Sequence, residues 1–149
     1  MVIKGDFFMT SNQTVRRYEE KDLDAVVKFI KEVAMAENVD EEIVKNSILV
    51  ATESSINGMV SFEMHDQVGV IRYFICDQYT MPDLLVNMFF ELYANAKERG
   101  VNQLVAIASN PYAYQLFEML GFIEIKKSID FKISNLVDDE NVSVMSIKL

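Results

Sequence analysis

The sequence predicts a mixed α/β (α+β) domain built around one mostly antiparallel sheet of about seven strands flanked by four helices. Three observations predict it. The chain has 149 residues and half of them are apolar, which is enough for one hydrophobic core. Three successive apolar runs at residues 48–52, 59–64 and 68–76 have the character of an antiparallel meander. Apolar residues at helical spacing precede and follow these runs.

The first half of the chain contributes a strand, two helices and the three-stranded meander. The first strand is expected at residues 14–18, and Glu19 is expected to cap the helix that follows it. Asp40 should begin a second, shorter helix that runs to about residue 48. The dipeptide Asn57-Gly58 is the strongest turn signal of the meander, and residues 65–67 form its second predicted turn.

The second half predicts a long helix, a buried strand, another helix and two closing strands. The long helix should end at Gly100, and the strand at residues 104–108 leads to Asn110 as a helix cap. Gly121 should close this last helix. The final strands are expected at residues 122–133 and 142–149, joined by an acidic loop at 138–140. The whole chain, residues 1–149, is interpreted as one domain with an N-terminal extension at 1–13.

Composition argues against several classes of function. The single cysteine, Cys76, cannot pair within the chain, and one Cys with one His cannot build the usual zinc site, so no metal is expected. The formal charge of −9 repels phosphate backbones and anionic membrane surfaces, so neither nucleic acid nor membrane is an expected partner. No apolar segment is long enough to cross a bilayer and the start of the chain does not look like a secretion signal, so a cytoplasmic location is expected.

Three segments, at residues 15–23, 96–100 and 110–122, together resemble the Gcn5-related N-acetyltransferase (GNAT) superfamily. The last one reads Asn-Pro-Tyr-Ala-Tyr-Gln-Leu-Phe-Glu-Met-Leu-Gly-Phe and is similar to the family's pattern N-x-x-A-x-x-φ-Y-E-x-x-G-F. Met145, Lys148 and Leu149 look like the family's closing strand. The resemblance covers the chain from residue 15 to residue 149 and makes it a divergent member.

The resemblance implies a V-shaped opening between the predicted strands at 68–76 and 104–108, where acetyl-CoA lies in members of the family. It also implies that the backbone of Phe74, Ile75 and Cys76 pairs with the pantetheine arm. Asn110 and Phe117 would line the same cleft, although capping of the following helix is a sufficient reason for Asn110. Cys76 is better explained as a small buried apolar residue than as a nucleophile.

The loop expected to wrap the diphosphate departs from the family's Q/R-x-x-G-x-G/A motif. Counting back from Gly100 places this motif on residues 80–85, where Thr80 takes the basic position and Asp83 and Leu85 take those of the glycines. Met81 lies in the same loop and Pro82 has no N–H to donate. A carboxylate and two added Cβ atoms are therefore expected where backbone amides should meet phosphate.

The expected acid and base are also unusual. Phe117 occupies the place of the tyrosine that protonates the departing thiolate in many members of the family. Tyr114, one turn earlier, is a candidate substitute, with core or cleft wall as the alternative. Glu63 could deprotonate an amine if its strand turns it to the cleft, and otherwise it faces solvent. His65 is interpreted as a loop residue.

Two functions of different classes follow, together with a weaker third. The resemblance implies an N-acetyltransferase that moves the acetyl group of acetyl-CoA to an amine, on a small molecule or a peptide, and the acidic surface favours a basic acceptor such as a polyamine or a lysine side chain. The alternative is a binding or regulatory module that has lost catalysis. The third is an acyltransferase for a donor with fewer phosphates, held by Tyr73, Tyr79 and Tyr112. A homodimer is an expectation of the family alone.

Overall fold

The computed structural model describes residues 2–4, 12–77, 80–125 and 142–149, with backbone alone for 2–4 and Asp77. The described strands are β1 (Val2–Lys4), β2 (Thr14–Arg17), β3 (Ile48–Ala51), β4 (Ile56–His65), β5 (Val68–Asp77), β6 (Gln103–Ala108), β7 (Ile123–Ile125) and β8 (Ser143–Lys148). The described α-helices are α1 (Leu23–Val33), α2 (Glu41–Val44), α3 (Pro82–Glu98) and α4 (Pro111–Met119), and a short 3-10 helix at Glu20–Asp22 precedes α1.

The strands form one mixed sheet, which confirms the predicted fold class. Its order is β2-β3-β4-β5-β6-β8-β7, with β1 paired to β5 off this path. The pairs β2–β3, β3–β4, β4–β5, β6–β8 and β7–β8 are antiparallel, whereas β5–β6 and β1–β5 are parallel. The predicted meander of three antiparallel strands is therefore correct.

Strand alternation divides the core between the two faces of the sheet. Ile75 and Leu49 pack with α1 in one cluster, while Phe74 and Cys76 pack with α3 and α4 in the other. Successive strand residues point to opposite faces, so the helices cover both sides of the meander. The described residues of β5 from 74 to 76 are buried between these two layers.

Two of the predicted helix caps are confirmed. The carboxylate of Asp40 accepts a hydrogen bond from the N–H of Glu42 at 3.0 Å, although α2 ends at Val44, earlier than expected. The side chain of Asn110 accepts from the N–H of Ala113 at 2.9 Å. Gly100 ends the long helix with φ +85°, a backbone conformation that favours glycine.

The predicted turn at Asn57-Gly58 is wrong, because both residues lie inside β4. The turn is formed by residues 52–55, where the N–H of Thr52 donates to the carbonyl of Ser55 at 2.9 Å and the Thr52 hydroxyl oxygen accepts from the N–H of Ser55 at 3.1 Å. Gly58 has a different use. A Cβ there would lie 3.2 Å from the carbonyl oxygen of Ile75, so glycine permits close approach of β4 to β5.

The N-terminal extension contains a strand that the sequence interpretation missed. Val2–Lys4 forms β1 and pairs with residues 75–77 of β5. The predicted strand at 122–133 is described over Ile123–Ile125, and the acidic loop at 138–140 lies outside the described residues, as does Tyr79.

Candidate functional site

The sheet opens between β5 and β6. Among the described residues, these strands pair over three positions, Val68 with Gln103, Gly69 with Leu104 and Val70 with Val105. Beyond that point β6 continues beside β8, and the end of β5 continues beside β1. This is the V-shaped opening that the resemblance implies, with its apex at Val70.

An aromatic cluster lies at the wall formed by β5 and α4. The ring of Phe117 is 5.9 Å from that of Phe74 and 5.4 Å from that of Phe122, measured between centroids. Phe89 of α3 packs edge-on against Phe74 at 5.2 Å. Phe117 is 2% exposed. At the position where many members of the resembled family carry a proton-donating tyrosine, the structure has a fully packed apolar ring.

The Tyr114 hydroxyl is directed elsewhere. It donates a hydrogen bond to Oε2 of Glu124 at 3.0 Å, and Glu124 lies in β7, beyond β8 from the opening. This bond to a carboxylate raises the pKa of Tyr114, because the neutral phenol is the form that donates. Asn110, Tyr114 and Ser143 line a cavity of about 380 Å³ there. The structure thus brings Asn110 and Tyr114 together, with the Tyr114 hydroxyl directed away from β5.

Glu63 lies in β4, beside the end of β5 that is still paired with β6. It stands opposite Val70 in the sheet register, which places it near the apex of the opening. Its carboxylate is 3.0 Å from Nη1 of Arg72 and 3.2 Å from Nε2 of His65. The structure therefore places Glu63 in a group of charged side chains, separate from residues 74–76.

The start of α3 has little capacity to bind an anion. The N–H groups of Leu84 and Leu85 both donate to the carbonyl of Met81, at 3.0 and 3.2 Å, and Pro82 has none. Asp83 is exposed in the first turn, so its carboxylate lies at the positive end of the helix. The side chain of Leu85 is 7% exposed and packs in the core, and the crowding expected at this position stays a prediction. Thr80 is half-buried in the preceding loop.

A second cavity, which the sequence did not predict, lies between α1 and the β3–β4 turn and measures about 380 Å³. Arg16 and Asp22 line it and form a two-point ion pair, with N–O distances of 2.7 and 2.8 Å. Hydrogen bonding from Arg16, more than the opposing effect of burial, holds the pKa of the Asp22 carboxyl below its usual range. Glu32 and Glu53 also line this cavity. In the sequence, the only indication of this ion pair was the presence of Arg16 and Asp22 within the short segment 15–23.

The described residues contain neither a candidate metal site nor a candidate membrane-spanning helix. No cluster of three or more His, Cys, Asp or Glu side chains is arranged there to hold a metal ion. None of the helices described combines the length and apolar character needed to span a bilayer.

Comparison with known proteins identifies the fold. No family model matches the sequence, and no curated protein matches it. Among solved structures, a Mycobacterium tuberculosis protein in complex with CoA superposes with a TM-score of 0.67 at 16% identity, covering 91% of this chain and 99% of that one. A GNAT-family acetyltransferase from Streptococcus pneumoniae gives 0.66 at 15% identity, with coverage of 92% and 99%.

N-acetylglutamate synthase from Neisseria gonorrhoeae, solved with coenzyme A and N-acetyl-glutamate, gives a TM-score of 0.67 at 13% identity. The match covers 95% of this chain and 36% of the synthase, so this chain spans about a third of that relative. The chain has the GNAT acetyltransferase fold. At these identities the likeness concerns the fold, and the fold predicted by resemblance is confirmed.

Proposed function

We propose that this protein is a divergent GNAT-family N-acetyltransferase that transfers an acetyl group from acetyl-CoA to an amine. The observation that carries the proposal is the separation of β5 from β6 beyond Val70, which leaves one edge of β5 unpaired with β6. CoA was present in two of the similar structures described above. Acetyl-CoA is the co-substrate, and the backbone of Phe74, Ile75 and Cys76 is where its pantetheine arm would bind.

The acceptor is proposed to be cationic, on a small molecule or a peptide. Glu32 and Glu53 line the cavity beside α1, and this cavity lies at the same end of the sheet as the splayed part of β5. The formal charge of −9 favours the approach of a cation over that of an anion. A polyamine and a lysine-containing peptide are the first acceptors to assay.

Calorimetric titration with acetyl-CoA and with desulfo-CoA tests the proposal. A dissociation constant below about 100 μM would support it, because this is about 5 kcal/mol of binding free energy at the 1 M standard state. Absence of binding at millimolar ligand would reject it. Acetyl transfer to the two acceptors is then measured by the release of the CoA thiol. This assay separates an enzyme from a protein that merely binds CoA.

The double variant Thr80→Arg with Asp83→Gly tests whether the start of α3 faces the diphosphate. It adds a cation and removes an exposed carboxylate, so CoA affinity is expected to rise by about tenfold or more, as for one or two charge-assisted hydrogen bonds. Gln67→Arg with Asp66→Gly is the matched control. It makes the same change of charge at the β4–β5 turn, where Asp66 already has φ +56°. Equal effects of both variants on CoA affinity would contradict the placement of the diphosphate at the start of α3.

A second candidate function is a GNAT-fold binding or regulatory module without catalysis. It is favoured by the packed ring of Phe117 and by the bond that holds the Tyr114 hydroxyl on Glu124, since neither residue offers a proton to the opening. Binding of acetyl-CoA without acetyl transfer to the polyamine or to the lysine-containing peptide would support this candidate over the enzyme.

A further inference from the structure

The end of β5 is paired with the chain's own N-terminal segment. Val2, Ile3 and Lys4 of β1 stand opposite Ile75, Cys76 and Asp77, and the two strands run in the same direction. This pairing lies beyond the last contact with β6 at Val70, on the stretch of β5 that has left its neighbour. An extended segment of polypeptide thus covers the strand edge that the opening exposes.

The backbone of this stretch needs a partner. With β1 in place, Phe74, Ile75 and Cys76 are 5%, 1% and 3% exposed, so this stretch of β5 is closed to water when the two strands pair. Buried backbone groups without a partner are costly, and a strand edge of this kind recruits an added strand. Adding a strand to an exposed edge is also a common way in which proteins bind extended peptides.

We propose that residues 75–77 of β5 form a binding site for an extended polypeptide strand, which Val2–Lys4 fills in this chain, and that this strand competes with the pantetheine arm of CoA. The competition rests on the proposed function, which places the pantetheine arm on the same part of β5. The strand site itself rests on the observed pairing. A backbone N–H or C=O that is bonded to β1 is not available to a second ligand in the same place, so the two occupants exclude each other.

A strand of three residues is suited to exchange. The net free energy gained from one backbone hydrogen bond is similar to the entropic cost of ordering one residue. A pairing of only three residues is therefore held weakly. If β1 is docked about nine-tenths of the time, the apparent dissociation constant of CoA rises about tenfold over its intrinsic value. The N-terminal segment would then set the CoA concentration at which the protein responds.

The test is a pair of variants of this chain. The double variant Val2→Pro with Ile3→Pro removes two successive N–H groups. Of any two successive residues in a strand, one points its N–H toward a given neighbouring strand. At least one hydrogen-bond donor from β1 to β5 is therefore lost. Val2→Ile with Ile3→Val is the matched control, since it exchanges the two residue types and retains every N–H. Circular dichroism and urea unfolding establish that both variants are folded.

Hydrogen–deuterium exchange and calorimetry are then measured on both variants. In the proline variant, those amides of residues 73–77 that face β1 and not β4 are expected to exchange at least about tenfold faster without CoA. CoA is expected to bind about tenfold more tightly than it binds the control. Unchanged exchange would overturn the strand site. Faster exchange with equal CoA affinities would overturn the competition.

The two proposals fail in distinguishable ways. If CoA binds to neither variant at millimolar concentration, the proposed function is rejected, and the exchange rates still decide whether β1 covers the edge. In that case a synthetic peptide with the sequence of residues 1–6 is titrated into the proline variant. Slower exchange at residues 73–77 on adding the peptide supports the strand site, and no change at millimolar peptide overturns it.

Discussion

Phe117 and Tyr114 lie one turn apart on α4 and have opposite environments. Phe117 is buried among Phe74, Phe89 and Phe122, whereas the Tyr114 hydroxyl reaches Glu124 of β7. The sequence placed both on the same helix and suggested that one could replace the other. It could not show which neighbour the hydroxyl would bond, because Glu124 is ten residues away along the chain. The role of Tyr114 as an acid stays a prediction.

Phe117→Tyr is expected to destabilise the protein by about 1–3 kcal/mol, the cost of burying a hydroxyl without a partner. Urea unfolding measures the loss. Phe90→Tyr is the matched control, because Phe90 is 62% exposed and its added hydroxyl stays in water. A stable Phe117→Tyr variant with faster acetyl transfer would instead show that the ring's para position reaches the opening.

Asp22→Asn is expected to lower the unfolding free energy at pH 7 by about 1.5–3 kcal/mol, nearer the lower figure because Arg16 is 35% exposed. The pKa of Asp22 is lower in the folded than in the unfolded protein, so its contribution is complete above the unfolded value of about 3.9 and is lost as the pH falls through the folded value.

Urea unfolding of both proteins between about pH 7 and pH 3 measures this contribution. The wild type should lose more stability than Asp22→Asn over that interval, so the two curves converge in acid. Glu37→Gln, an exposed carboxylate in the loop after α1, is the control and should run parallel to the wild type. Parallel curves for Asp22→Asn as well would contradict the role of the ion pair.

At the scale of elements, periodicity predicted the helices and strands well, but the turn chemistry and the short β1 strand were harder to predict. Asn57-Gly58 has the residues of a tight turn, yet Gly58 is needed inside β4 because β5 approaches it closely. Thr52 and Ser55 make the turn with their hydroxyls and backbone. β1 has three residues, too few for an alternating pattern, and its partner lies more than seventy residues away.

Gly69→Ala tests the packing where β5 joins β6. An added Cβ would lie 2.8 Å from Cδ2 of Leu104 and 3.0 Å from Cδ2 of Phe62, both fully buried. Overpacking of this kind costs about 1–3 kcal/mol, which urea unfolding would detect. Gly58→Ala is a second test of close packing, because its Cβ would lie 3.2 Å from the carbonyl oxygen of Ile75, a backbone atom held in β5. A neutral Gly69→Ala would mean that Leu104 and Phe62 repack without loss.

For the whole molecule, the resemblance predicted the layered sheet with its opening, because these depend on the order and amphipathic faces of long elements. The occupancy of the opening was not predictable, since the segment at 2–4 contacts β5 through the backbone and leaves no side-chain motif. The expected departure from the family's diphosphate-binding motif depends on residues 80–85, at the start of α3. The structure leaves Asp83 exposed there. Binding of CoA beside this carboxylate stays a prediction.

CoA binding is expected to strengthen with salt. The chain carries a formal charge of −9 and has no Lys or Arg from residue 73 to residue 96, so screening reduces repulsion without breaking ion pairs to phosphate. Raising NaCl from about 0.05 to about 0.5 M should lower the dissociation constant a few-fold by calorimetry. Weakening with salt would indicate that cationic side chains contact the phosphates.

The parallel direction of β1 determines where any added N-terminal sequence would go. A chain that continued this parallel pairing before Val2 would run alongside β5 from Ile75 back toward Val70, which is the narrow end of the opening. An affinity tag fused at that end would therefore be threaded between the diverging strands, where it would wedge them apart or unseat β1. A purification handle is therefore better placed after β8 than before β1, so that the pairing of β1 with β5 is kept.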